Sequence, residues 1–184
     1  ARTREPALAF SAGGATFALP ASAIHATVPR TVVEQNALSE GACIGSIVHH
    51  GQRVPVMRTT RVMALGHSDE GREAEIVLLR CGDDRRIGLA VDMINRMLSV
   101  DPAHLRPAPS GVGRAARLIA GVTTDAASGD QTFVIDADQL IALPDVAEMA
   151  ALSERKSRPR ASARAADTDV TEDRTRHLVF SAGT

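Results

Sequence analysis

The sequence of 184 residues predicts a mainly β chain folded as small barrels, and three observations carry that prediction. Apolar residues recur with a period of two in short runs, as in Ile87-Gly88-Leu89-Ala90-Val91. Turn chemistry separates these runs at Gly13-Gly14, His50-Gly51 and Gly82-Asp83-Asp84. No long helical pattern alternates with the strands, so short strands spaced by turns point to barrels rather than to a βαβ fold.

Each element follows in order. Leu8–Ala12 and Ala15–Leu19 flank Gly13-Gly14, and a Gly-Gly pair supplies the positive φ angles of a two-residue hairpin. Leu8, Phe10, Phe17 and Leu19 alternate with small residues, which predicts one buried face. Pro20 ends this hairpin and Ile24–Val28 is a short strand. Ile44–His49 runs up to a His50-Gly51 turn, and Arg53–Met57 runs back. Pro55 marks that return as an edge strand or a bulge. Thr59–Leu65 reads as a short helix stopped by Gly66, followed by a polar loop to Arg72. Ile76–Leu79, a turn at residues 82–84 and a strand with Ile87, Leu89, Val91 and Met93 facing inward make the third hairpin, which Met97–Val100 extends. Asp101-Pro102 starts a helical turn through Leu105. Pro107, Pro109, Gly111 and Gly113 then make a loop. Leu118–Thr123 pairs with Thr132–Ile135, Asp136 caps a helix through Leu143, and a last helix starts at Pro144-Asp145 with Val146, Met149 and Ala150 on one face.

Composition narrows the function. The formal net charge is −1, so no whole-molecule field draws the chain to nucleic acid or to a membrane. No apolar run reaches the roughly 18 residues of a membrane span, and no signal-peptide core is present at the start, which is Ala1 rather than Met, as in a processed or excised chain. Cys43 and Cys81 are the only cysteines and read as buried, reduced core residues. With neither Trp nor Tyr, the core is expected to be aliphatic.

Beyond Leu152 the composition changes. Arg155, Lys156, Arg158, Arg160 and Arg164 form a basic block, and Asp167, Asp169, Glu172 and Asp173 an acidic one, with little but alanine between them. Such a segment buries too little surface to offset its ordering entropy, so 153–177 is expected to be a flexible linker whose charges pair with one another. Leu178–Thr184 then matches Leu8–Gly14 at five of seven positions. That repeat predicts the first strand of a second copy of the domain.

Several motifs stand together in order and spacing: Gly14–Pro20 with Ile24 beyond it, Gly45-Ser46-Ile47 with Gly51 and Val54-Pro55-Val56, Ile87–Asp92, Leu105–Pro109, Ile119–Val122, and Val134-Ile135-Asp136 with Leu140. In these the chain resembles the CheW-like domain family over residues 5–152. The resemblance implies two five-stranded SH3-like β-barrels sharing an aliphatic core, with short helices and a C-terminal helix. It also implies a non-enzymatic adaptor that links chemoreceptor tips to the regulatory domain of a CheA-type histidine kinase, in the cytoplasm at membrane receptor arrays, with other CheW-like domains as further partners. The chain departs from the family at Val48 and His50, where Asn and Arg are usual, at Arg58, where Asp is usual, and at Ala26, where an acidic residue is common. The Arg and the acidic position lie on the surface that the family uses for receptor contact. An alternative keeps the fold and reads the chain as a structural or dimerising module of a tandem protein that has lost receptor binding.

The candidate contact residues are therefore Ile24, Ala26, Val28, Val48, His50, Gly51 and Arg58, with Ile24, Val28 and Val48 as an exposed apolar patch beside a hairpin tip at His50-Gly51. Structural roles are expected for Gly13 and Gly14 in the first turn, for Gly88, Pro107 and Gly121 in the family motifs, and for Asp92 as an acceptor of backbone N–H groups at a strand bend. Catalysis, metal and cofactor are not expected. Adjacent strand residues such as His49 and His50 point to opposite faces and do not easily share an ion, and the remaining histidines, His25, His67, His104 and His177, are scattered along the chain. No serine sits in a nucleophile elbow, and no glycine-rich phosphate loop opens a helix.

Overall fold

A computed structural model describes residues 3–35, 39, 41–66, 71–82, 84–108 and 113–155. Ten of the eleven described strands, all short, form two five-stranded sheets. The first contains β1 (Glu5–Ala12), β2 (Ala15–Pro20), β8 (Met93–Val100), β9 (Ile119–Thr124) and β10 (Gln131–Ile135) in the order β8-β1-β2-β10-β9. The second contains β3 (Ile24–Pro29), β4 (Cys43–His49), β5 (Gln52–Arg58), β6 (Glu75–Arg80) and β7 (Arg86–Val91), ordered β3-β6-β7-β5-β4. A two-residue strand, β11 (Glu154–Arg155), adds to β5. Pairing is antiparallel except for one parallel pair per sheet, β2 with β10 and β5 with β7. The helices α1 (Thr59–Val62), α2 (Arg114–Leu118), α3 (Ala137–Ile141) and α4 (Pro144–Ala151) are short.

Both sheets close by the same device. After β3, a 3-10 turn (Arg30–Val32) leads to Glu34, whose backbone exchanges two hydrogen bonds with Ser46 on β4, of 2.8 and 2.9 Å. After β8, a 3-10 turn (Pro102–His104) leads to Arg106, which exchanges two with Val122 on β9, of 3.0 and 2.8 Å. Each bridge joins the two outer strands of its sheet. Each also stands next to a glycine that has no room for a side chain. A Cβ on Gly45 would overlap the Glu34 carbonyl oxygen and lie 2.9 Å from Val33 Cγ1, while one on Gly121 would lie 2.6 Å from Leu105 Cβ and 2.9 Å from the Arg106 carbonyl oxygen.

Closure explains why the strands are buried on both faces. On β6, Val77 and Leu79 join a core built from both sheets, while Ile76 and Leu78 join a cluster confined to the second sheet. On β1 and β2, Phe10, Phe17 and Leu19 face the shared core, and Ala7 and Ala18 fill the first barrel with Val100 and Val134. β7 is likewise buried on both sides because Gly88 and Ala90 fit the narrow interior: a Cβ on Gly88 would lie 2.9 Å from Ile76 Cγ2. The shared core is aliphatic except for three phenylalanines, with Phe10–Phe17 and Phe17–Phe133 ring centroids 6.1 and 5.8 Å apart.

Several expectations are corrected. Met93 does not continue the inward alternation of β7. The chain bends at Asp92, and Met93 opens β8 on an exposed face. β5 is neither an edge nor bulged at Pro55. Ser46 sends both its backbone groups to Glu34, so Pro55 opposite it points its nitrogen away from β4. There β5 changes neighbours, from β11 at Gln52 and Arg53 to β7 at Val56–Arg58, and no ladder bond is lost. α2 was not expected: five residues after a Pro/Gly-rich stretch offer too short a window for helical periodicity.

The helix after β5 ends before Gly66. Leu65 N–H donates to the Thr60 carbonyl at 2.8 Å, and Ala64 takes the left-handed position at φ 51 where glycine is usual. Ala64→Gly is therefore expected to stabilise the protein by about 0.5–1 kcal/mol, read as a higher urea midpoint at unchanged slope.

Candidate protein-binding surface

The β4–β5 hairpin turns on His50 and Gly51 with φ 49 and 75, the type I′ geometry that matches strand twist. His50 and Gly51 are exposed at its tip, and Val48 beside them is 52% exposed. The other proposed apolar contacts lie differently. Ala26 and Val28 are half-buried against the second barrel's own cluster, and Ile24 against the shared core. A register shift between Ile24 and Ala26 sets these two directions. Of the apolar patch, Val48 alone is open.

Arg58 is committed inside the fold. Its Nε stands 2.6 Å from Glu73 Oε1, and the two side chains are 14% and 4% exposed. Arg30 approaches the same carboxylate at 4.0 Å, and Gly71 N–H donates to its Oε2 at 3.2 Å. The inversion of charge at Arg58 is thus answered by a buried glutamate.

The remaining singled-out residues act on the frame. Gly13 and Gly14 form the first turn at φ 56 and 79. Asp92 accepts the Gly13 N–H at 3.0 Å, while its own N–H donates to the Ser11 carbonyl at 2.8 Å, so it ties the β7–β8 bend to the β1–β2 turn. Pro107 is exposed beside the Arg106 bridge, and Gly121 lies beneath it. Asp136 accepts from Asp138 and Gln139 N–H and caps α3.

The histidines are not all scattered. His25 on β3 meets His49 edge-on at 5.4 Å between centroids, and His49 meets His50 edge-on at 4.2 Å. Strand order separates β3 from β4, and closure of the sheet brings them together. Burial, then the positive charge of Arg86, holds His25 below the ordinary histidine range; burial, then His50, does so for His49. No group of three histidine, cysteine or acidic residues is placed to hold a metal ion among the described residues.

The last described residues lie at this same end. Gln52, buried next to the tip of the hairpin, donates to the Asp84 carbonyl and to Ser153 Oγ, the latter at 2.8 Å. β11 then pairs with Arg53 and Gln52. The rest of the segment 156–184, with the expected linker and repeated strand, lies outside the described residues.

Elsewhere the surface offers little chemistry. Cys43 is buried, and burial pushes the half-buried Cys81 thiol up to about 11, which leaves it protonated and unreactive at neutral pH. Met93 and Met97 on β8 are exposed, and sequence reasoning placed the first of them inside. No described helix is long and apolar enough to cross a membrane.

A family model described as CheW-like domain matches residues 6–145. Among solved structures the fold is similar to that of the scaffolding protein TtCheW from Thermoanaerobacter tengcongensis, at 16% identity and a TM-score of 0.63, over 77% of this chain and 90% of that one. No curated protein matches the chain.

Proposed function

The chain belongs to the CheW-like domain family, and on that premise we propose that it is a non-enzymatic adaptor of chemotaxis-type signalling that joins chemoreceptor tips to a CheA-type histidine kinase. The observation that carries the reading is the extent of the family match, which takes in both barrels and the α3 cap. A scaffold needs rigid surfaces rather than a reacting centre, and this fold supplies an exposed hairpin tip on a closed, doubly buried frame. It acts in the cytoplasm, held at membrane receptor arrays through its partners. Immobilised chain is expected to capture an isolated kinase regulatory domain and a receptor-tip fragment. Capture of neither would sink the proposal. His50→Arg is expected to tighten receptor-tip binding several-fold, because a guanidinium forms forked bonds to carboxylates where imidazole makes single ones. Unchanged or weaker binding in titration would place the receptor contact elsewhere.

One observation favours the second reading, a structural or dimerising module without receptor binding. Arg58 is spent on Glu73, and Ile24, Ala26 and Val28 pack inward, so four of the seven proposed contact residues are turned to internal use. Capture of the kinase domain without the receptor tip selects this reading.

A further inference from the structure

We infer that the histidine end of the second barrel, His25, His49 and His50 with Arg86, is a receiving site for a carboxylate-bearing segment of a protein partner, and that proton uptake strengthens its binding. The inference rests on the adaptor reading for its choice of a protein partner. Three features on separate strands make the site. The His25, His49 and His50 rings stand edge to face in series, 5.4 and 4.2 Å apart. Nδ1 of His49 is buried and has no hydrogen-bond partner among the described residues, so a polar atom stands unsatisfied within the cluster. The charges acting most on the rings are all basic: Arg86 from β7, Arg80 from the end of β6, and the histidines themselves. Around them, Arg53 on β5 faces Glu34 at 3.9 Å, Arg80 donates to the Ser22 carbonyl at 3.4 Å, and the β6–β7 turn presents the Asp84 carbonyl to Gln52.

The physics of the cluster follows from crowding like charges. At neutral pH His25 and His49 stay uncharged, because burial and the neighbouring cations oppose protonation. An incoming carboxylate reverses that balance. It offsets the cations and raises the proton affinity of both rings. Binding therefore takes up protons, and each proton taken up tightens it by up to about tenfold per pH unit as pH falls through the histidine range. An acidic protein segment is the occupant that the adaptor reading supplies, and its charge complements the cations of the cluster.

The test uses the whole chain, a short Glu-rich peptide, its Gln-substituted copy and inorganic phosphate. Imidazole resonances are followed by NMR between about pH 5.5 and 8, with affinities from calorimetry at both ends. The Glu peptide is expected to raise the midpoints of His25 and His49 and to bind more tightly at the acid end, and the Gln copy to do neither. A His25→Gln, His49→Gln double variant, checked for an unchanged amide spectrum outside the hairpin, is expected to lose most of the pH dependence. Static midpoints, equal binding of the Gln copy, or pH dependence that survives the double variant undiminished each overturn the inference. Phosphate that matches the peptide overturns the assignment to a protein segment. Capture of the kinase domain or receptor tip with silent histidines defeats this inference and leaves the adaptor standing. Responsive histidines without capture of either partner do the reverse.

Discussion

Gly45→Ala is expected to cost about 2–4 kcal/mol of stability, the combined scale of a strained backbone angle and an overpacked site. Gly45 holds φ 142, which L side chains rarely adopt, and its added Cβ would run into the Glu34 carbonyl that closes the second barrel. The obstacle is backbone, not the flexible end of a side chain, and it cannot move without breaking the Glu34–Ser46 bridge. Gly121→Ala meets the equivalent bridge through Leu105 and Arg106 without a positive φ, so about 1–3 kcal/mol is expected. Gly51→Ala is the control: φ 75 but nothing within 4 Å, for about 1–2 kcal/mol. Urea unfolding of the three variants checks the order. If Gly45→Ala costs no more than Gly51→Ala, the bridge is not what requires the glycine.

Removal of the Glu73 carboxylate is expected to be as damaging. Glu73→Ala takes from the largely buried Arg58 the carboxylate that stands 2.6 Å from its Nε, for about 3–5 kcal/mol. Arg30, more exposed, loses a weaker partner at 4.0 Å. The cost comes from removing one member of a buried charge pair rather than from the strength of the pair. An Arg58→Met, Glu73→Met double variant is therefore expected to recover most of the loss, since apolar replacement of both members of a buried pair is often neutral or better. Equal unfolding midpoints for Glu73→Ala and the double variant would show that packing, not charge, sets the loss. The same pair bears on function. If Arg58→Met alone abolished receptor-tip capture in a protein that remained folded, the arginine would have to serve the partner as well as Glu73.

Hairpins were the legible part of this protein because their signals are local. Gly13-Gly14 and His50-Gly51 declare their turns through residues that accept positive φ, and alternation along Ile76–Leu79 and Ile87–Val91 marks strands whatever they pack on. Asp136 names its helix start for the same reason: the donors it accepts from are two and three residues away. The ordered series of short motifs carried the family, and the family carried the pairing of two barrels that no single segment announces.

Tertiary closure decided the rest. A period of two says that a strand has two faces but not that both are covered. Ala26, Val28, Gly88 and Ala90 look like surface or spacer residues until the sheet curls and makes a narrow interior of their side. Arg58 looks like a free cation until Glu73, fifteen positions on, is buried against it. His25 and His49 belong to strands that are not neighbours in the sheet order, and they touch only because the Glu34–Ser46 bridge joins its two ends. By itself the sequence determined where the chain turns and which residues alternate, since those depend on φ preferences and spacing within a few residues. Which faces are buried, which charges are spent and which histidines meet depended on bringing distant strands to one closure point, where the geometry is set by backbone contacts at Gly45 and Gly121 rather than by any local preference.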